Sequence, residues 1–267
     1  ALALGGGARR AEAAHTGKTI TLADSEAAGS GVGVGVSLSL NIGLTQTEAT
    51  LSRGATGAGS VTVKGTSVIE STAETKAGAK GGSSKKSDGV TDSDDSDQET
   101  TKQTSLAQQK SGKSGAPTQS SGSALGTADS NSSSQAGNSS GGSVKVAASI
   151  SVNFLDADTT ALIATAAPVS ASGAVTVEAT KNATATATAL ATAVDTDSDT
   201  GVGAAVALNI ILLDHTARIN NAAQVSGGSV TVRAGTPGAD HNQFKARALS
   251  GAVSKQTAIA GSISGNY

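Results

Sequence analysis

The side chains best placed by type and spacing to do chemistry are three aspartates at alternate positions, Asp195, Asp197 and Asp199, with Gly201 just beyond. Carboxylates grouped in a turn can converge on a hard cation such as Ca²⁺, which takes six to eight oxygen ligands. An EF-hand loop would need glycine at its sixth position and glutamate at its twelfth. Counted from Asp195, those places hold Thr200 and Val206. The triplet therefore reads as an acidic turn between strands, with a calcium site as the alternative. A second run, Asp92, Asp94, Asp95 and Asp97, lies among serines and lysines and reads as solvated charge. The histidines are His15, His215 and His241. Asp214 precedes His215, but neighbours on a strand point to opposite faces, so the pair is not the oriented dyad that general-base catalysis needs. No G-x-S-x-G elbow is present, and Gly31, Gly33 and Gly35 are not followed by a helical pattern that could cradle phosphate. Neither a catalytic residue nor a cofactor is expected.

The elements that must carry these residues are repeated. One phrase reads VGVSLSLNI at 34–42, VKVAASISVNF at 144–154 and VGAAVALNII at 202–211, with an asparagine at Asn41, Asn153 and Asn209. A second reads GSVTV at 59–63, GAVTV at 173–177 and GSVTV at 228–232. Asn209 follows Asn153 by 56 positions, and Asn266 follows by a further 57, as though another copy were beginning. Self-similarity at this period signals an array of stacked units.

Within the first phrase apolar residues alternate with small or polar ones, the period of a strand. Val34, Val36, Leu38, Leu40 and Ile42 share one face, and Gly35, Ser37, Ser39 and Asn41 the other. The usual rule puts the aliphatic face inward, so Leu208→Asp or Ile150→Asp should lower stability by several kcal/mol through an unpaired buried charge, while Ser39→Ala should do little. Shorter strands are expected at TEATL, TTALI and HTARI, then at VTV, then at ATATATALATAV, giving four strands per unit. About 56 residues would then divide into coils of roughly 19 residues, although two larger coils are also arithmetically possible. KTITLA at 18–23 looks like the VTV strand of a preceding unit. The resulting division is 1–28, a partial repeat; 29–76, the first part of repeat 1; 77–142, an insertion; 143–200, repeat 2; 201–260, repeat 3; and 261–267, the start of another. The insertion is rich in Ser, Gly, Asp, Gln and Lys and poor in branched apolar residues, a composition that does not offset the entropy of ordering, and it reads as a polar loop.

Composition limits function. The 267 residues include one Tyr, two Phe and no Trp, Met or Cys, so a core must be built from Val, Ile, Leu and Ala, which suits a narrow regular interior. A net charge of −2 supplies no basic field for nucleic acid or anionic lipid, and no apolar run reaches a membrane span. Absence of cysteine is compatible with secretion without proving it. With repeats running to both ends, the chain reads as a piece of a longer protein. Parallel β-helices include polysaccharide-cleaving enzymes, but these need a groove of carboxylates and cations and gain from aromatic platforms, which the strands here lack. Ice binding would need continuous outward threonine ranks, and Thr184, Thr186 and Thr188 are not matched in the RAGTPGADHNQFKARAL stretch that follows the third VTV strand.

The phrases GVGVGVSLSLNI, GSVTVKGTS, GAVTVEATKNATATATALA and GVGAAVALNI resemble the repeats of giant bacterial surface proteins, the filamentous haemagglutinin-like and leukotoxin-type filamentous adhesins, over most of the chain outside the insertion. The resemblance implies an all-β, right-handed parallel β-helix (β-solenoid), exported and displayed at the bacterial cell surface as a non-catalytic stalk for adhesion or biofilm. Implied partners are the adjacent repeats of the parent chain, host or neighbouring-cell glycans or proteins, and lateral copies of the rod, with no nucleic acid and no membrane span. A carbohydrate-binding or polysaccharide-degrading β-helix is the alternative, followed by a calcium-stabilised or ice-binding secreted repeat.

Overall fold

The computed structural model describes residues 2–3, 6–29, 31–81, 144–196, 198–236 and 241–267, and among these the regular structure is all strand. The strands are β1 (Leu2–Ala3), β2 (Ala8–Gly29), β3 (Val32–Leu51), β4 (Ala55–Ala58), β5 (Ser60–Gly81), β6 (Val144–Ile163), β7 (Val169–Ala171), β8 (Ala174–Val194), β9 (Thr200–Ile219), β10 (Val225–Ser226), β11 (Ser229–Gly235), β12 (Gln243–Val253) and β13 (Thr257–Asn266). They form three parallel sheets. A short sheet is ordered β1-β4-β7-β10, a threonine-bearing sheet β11-β8-β5-β2 with β12 also on β8, and an asparagine-bearing sheet β13-β9-β6-β3. From β3 onward the chain visits the asparagine sheet, the short sheet and the threonine sheet in turn, and each return lands beside the previous copy of the same strand.

Register confirms the repeat and corrects its subdivision. Asn41 pairs with Asn153, Asn153 with Asn209, and Asn209 with Asn266. One 56-residue unit thus makes one passage through all three sheets, and coils of about 19 residues do not occur. The phrases taken as four short strands fuse into two long ones: the asparagine phrase continues through TEATL as β3, and VTV continues through ATATATALATAV as β8. Nothing in either junction breaks a strand; the Gly and Pro turn signals lie on both sides of the short sheet instead. KTITLA is also reassigned. Its Lys18 pairs with Glu70, whereas the partner of Val61 in VTV is Arg9. Residues Ala77–Gly81, expected at the head of the insertion, extend β5, and the remainder of that expected loop lies outside the described residues.

The largest correction concerns which face is inside. Leu38 is 63% exposed and Ile150 40%, while Ser39 is 1% exposed and Asn153 0%. The small and polar parity of the asparagine sheet faces the threonine sheet, and its aliphatic parity faces outward. The space between the sheets gives the reason. Beside the short sheet they stand apart, and Val61, Val63, Ile163, Val169, Val175 and Val177 fill the gap. Midway, Ile69 and Leu155 pack with alanines. At the opposite edge the buried apolar cluster is all alanine, as at Ala79, Ala147, Ala193 and Ala205. There a Cβ on Gly35 would overlap the carbonyl oxygen of Gly78, and one on Gly203 that of Gly251. A tapering interior of this kind admits Val at its wide end and Gly, Ala and Ser at its narrow end, and it explains how the chain folds with so few aromatic residues.

Candidate functional site

The alternation that buries the small parity also lines the interior with polar groups. The Nδ2 of Asn41 donates to the carbonyl of Thr72 at 3.0 Å and to Ser71 Oγ at 3.1 Å. Asn153 Nδ2 donates to Ser71 O at 3.1 Å, and its Oδ1 accepts from Ser71 Oγ at 2.6 Å. Asn209 Nδ2 donates to Lys245 O at 2.6 Å and to Asn266 Oδ1 at 2.9 Å. Each amide donates to a backbone carbonyl of the threonine sheet, so the asparagines stitch one long sheet to the other at every repeat. Ser39, Ser151, Thr75 and Ser149 extend the same polar seam.

Among the described residues, two lysines are buried completely. Lys145 stands in register between Gly33 and Gly201, and the missing side chain of Gly33 leaves room for its stem, which a Cβ there would meet at 3.2 Å. Its Nζ donates to Gly31 O at 3.3 Å and lies 3.5 Å from Asp195 Oδ2. Lys181 sends its Nζ between the carbonyls of Ala157 and Asp214, the latter at 2.8 Å. Burial pushes its pKa below the ordinary lysine value, against the opposing pull of Asp158, Asp214 and Asp156. His215 sits on the inward parity, half-buried, with the exposed Asp214 on the opposite parity as strand alternation requires. Desolvation, and then the charge of Lys181, hold the His215 pKa below its usual value.

The acidic triplet is only partly described. Asp195 is ion-paired with Lys145, Asp199 Oδ1 accepts from Gln256 Nε2 at 2.8 Å, and Asp197 lies outside the described residues. Among the described residues no group of three or more His, Asp or Glu side chains converges as a metal site. Asp92, Asp94, Asp95 and Asp97 also lie outside the described residues. Thr184, Thr186 and Thr188 do share the outer face of β8, but their neighbours on β5 are Glu70, Thr72 and Glu74, and those on β12 are Gln243, Lys245 and Arg247. The threonine rank is therefore broken by charge within one strand on each side.

What sequence reasoning missed is a surface. In-register stacking lines up the outward aliphatics of the asparagine sheet into ranks: Val34, Val146, Val202 and Ile259; then Leu38, Ile150, Val206 and Ile263. Between them runs a lower rank of Val36, Ala148, Ala204 and Gly261. The apolar area ends at Asp156, Asp158 and Asp214, which stand outward farther along the same strands. The signal was present as period-two alternation, but it was read with the wrong face inside. No family model, curated protein or solved structure matches the chain.

Proposed function

We propose that this chain is a non-catalytic, right-handed parallel β-solenoid segment of a large secreted bacterial surface adhesin, in which length and stiffness at the cell surface are the product. The observation that carries this reading is the ladder Asn41–Asn153–Asn209–Asn266, in which every unit adds one parallel strand to the asparagine sheet in unbroken register. A stack built this way lengthens by about 4.8 Å per unit without changing its cross-section. Charged groups that could serve chemistry are engaged in holding the stack, with Lys181 on backbone carbonyls and Asp195 on Lys145. The functional reading rests further on the resemblance of the repeat phrases to filamentous adhesins.

The test is small-angle scattering on the chain and on a tandem copy fused in repeat register. The dimension along the stack, about 19 Å for four strands, is expected to double in the tandem copy while the dimension along the 20-residue strands, about 65 Å, stays constant. A particle that grows in every direction would overturn the stack. Display of the chain on a non-adherent bacterium, with cell attachment as readout, tests the surface role, and turnover of a polysaccharide panel would overturn the non-catalytic assignment.

A further inference from the structure

We propose that the aliphatic outer face of the asparagine sheet is where two copies of this chain pack face to face. The proposal stands on that face alone and does not require the adhesin reading. Soluble chains seldom leave a contiguous apolar patch of more than a few hundred Å² in water. Here the outward aliphatics run from Val32 to Leu44 on β3 and continue across β6, β9 and β13. Strand rise and spacing make this a field of about 40 Å by 19 Å, roughly 760 Å². One side of a standard stable interface is about 800 Å², so the face has the size that a dimer needs.

Its relief and charge select the occupant. The ridge of Leu38, Ile150, Val206 and Ile263 lies beside the lower rank of Val36, Ala148, Ala204 and Gly261. A two-fold rotation can set the ridge of one copy over the low rank of the other, an isologous contact in which the surface complements itself. Two such faces stacked at the usual distance of about 10 Å would interdigitate as the inner faces of a β-sandwich do. The face itself is uncharged, and Asp156, Asp158, Asp214 and Glu48 give it a polar border at one end. The same acidic border repels anionic headgroups, which favours a second protein face over a lipid surface.

The test is sedimentation velocity on the full chain over a concentration series from about 1 to 200 μM, spanning the affinities typical of modest interfaces. The mass is expected to rise from the 25.5 kDa monomer to twice that value. Leu38→Asp with Val206→Asp, and separately Ile150→Lys, should each weaken the dimer roughly tenfold or more, because a charge is placed at the desolvated centre. Thr72→Asp, on the outer face of the opposite sheet, should leave the dimer constant unchanged. Strand-type circular dichroism in all variants keeps a folding failure distinct from a lost contact. A chain that stays monomeric throughout, or a dimer indifferent to the face variants, overturns the proposal. So does a monomer that floats with phosphatidylcholine vesicles and loses flotation on Ile150→Lys, since that result makes lipid the occupant.

Discussion

The two long sheets share a backbone plan and turn opposite characters to the solvent. Outward on the threonine sheet, β5 presents Thr62, Lys64, Glu70, Thr72, Glu74 and Lys76, and neighbouring strands answer with charge: Lys64 meets Glu178 at 3.3 Å and Lys18 meets Glu70 at 2.9 Å. Outward on the asparagine sheet stand Val, Leu and Ile. Both sheets send mostly small residues inward, with Ile69, Leu155, Lys145 and Lys181 among the larger side chains buried away from the wide end. Burial here follows side-chain volume and the reach of polar groups to opposing carbonyls as much as polarity. Serines and asparagines that bond the opposite sheet take many of the inward positions, and the aliphatic parity is left to the surface.

Substitutions on the two parities of the same strand sharpen this contrast. Asn153→Asp should have the largest effect, roughly 3 kcal/mol or more, since it removes the amide donor and sets a buried carboxylate against Ser71 O. Chemical denaturation would read it, and an unchanged midpoint would place Asn153 in solvent. Gly203→Ala should cost about 2 kcal/mol, because its Cβ meets the Gly251 backbone, which has no rotamer to yield. The next effect is pH-dependent. The folded state holds the His215 pKa below the ordinary 6.5. The unfolded chain therefore binds the proton more readily, so this residue's contribution is complete above pH 6.5 and is lost as pH falls through the lowered folded value. His215→Gln should flatten the acid side of a thermal-midpoint profile, and a profile unaltered by the substitution would contradict the buried site. Smallest is Leu38→Asp, expected to change the stability of the dilute monomer by about 0.5 kcal/mol or less. That outcome reverses what the rule of apolar-inside expects, and a loss of several kcal/mol would restore it.

Much of the architecture was legible because repetition is a one-dimensional property. The asparagine landmarks identified residues that now pair strand to strand, and GSVTV and GAVTV identified Val61, Val175 and Val230 as equivalent. Strand lengths were not legible, since TEATL and ATATATALATAV carry no breaker and only the sheet shows that they continue their predecessors. Lys145 and Lys181 gave no sign of burial in the sequence, where lysine on an alternating strand reads as solvated. The glycines flanking Lys145 on neighbouring strands are 112 and 56 positions away and become its neighbours only through register.

By itself the amino-acid order determined that the repeats are built of strands, their unit of 56 residues and the division of each strand into two parities, because hydrophobic alternation and self-similarity are written along the chain. Only the tertiary structure decided which parity is interior, how many strands a unit contributes and where the buried amides and lysines find partners. Those outcomes depend on the distance between two sheets, a quantity that exists only once both have formed.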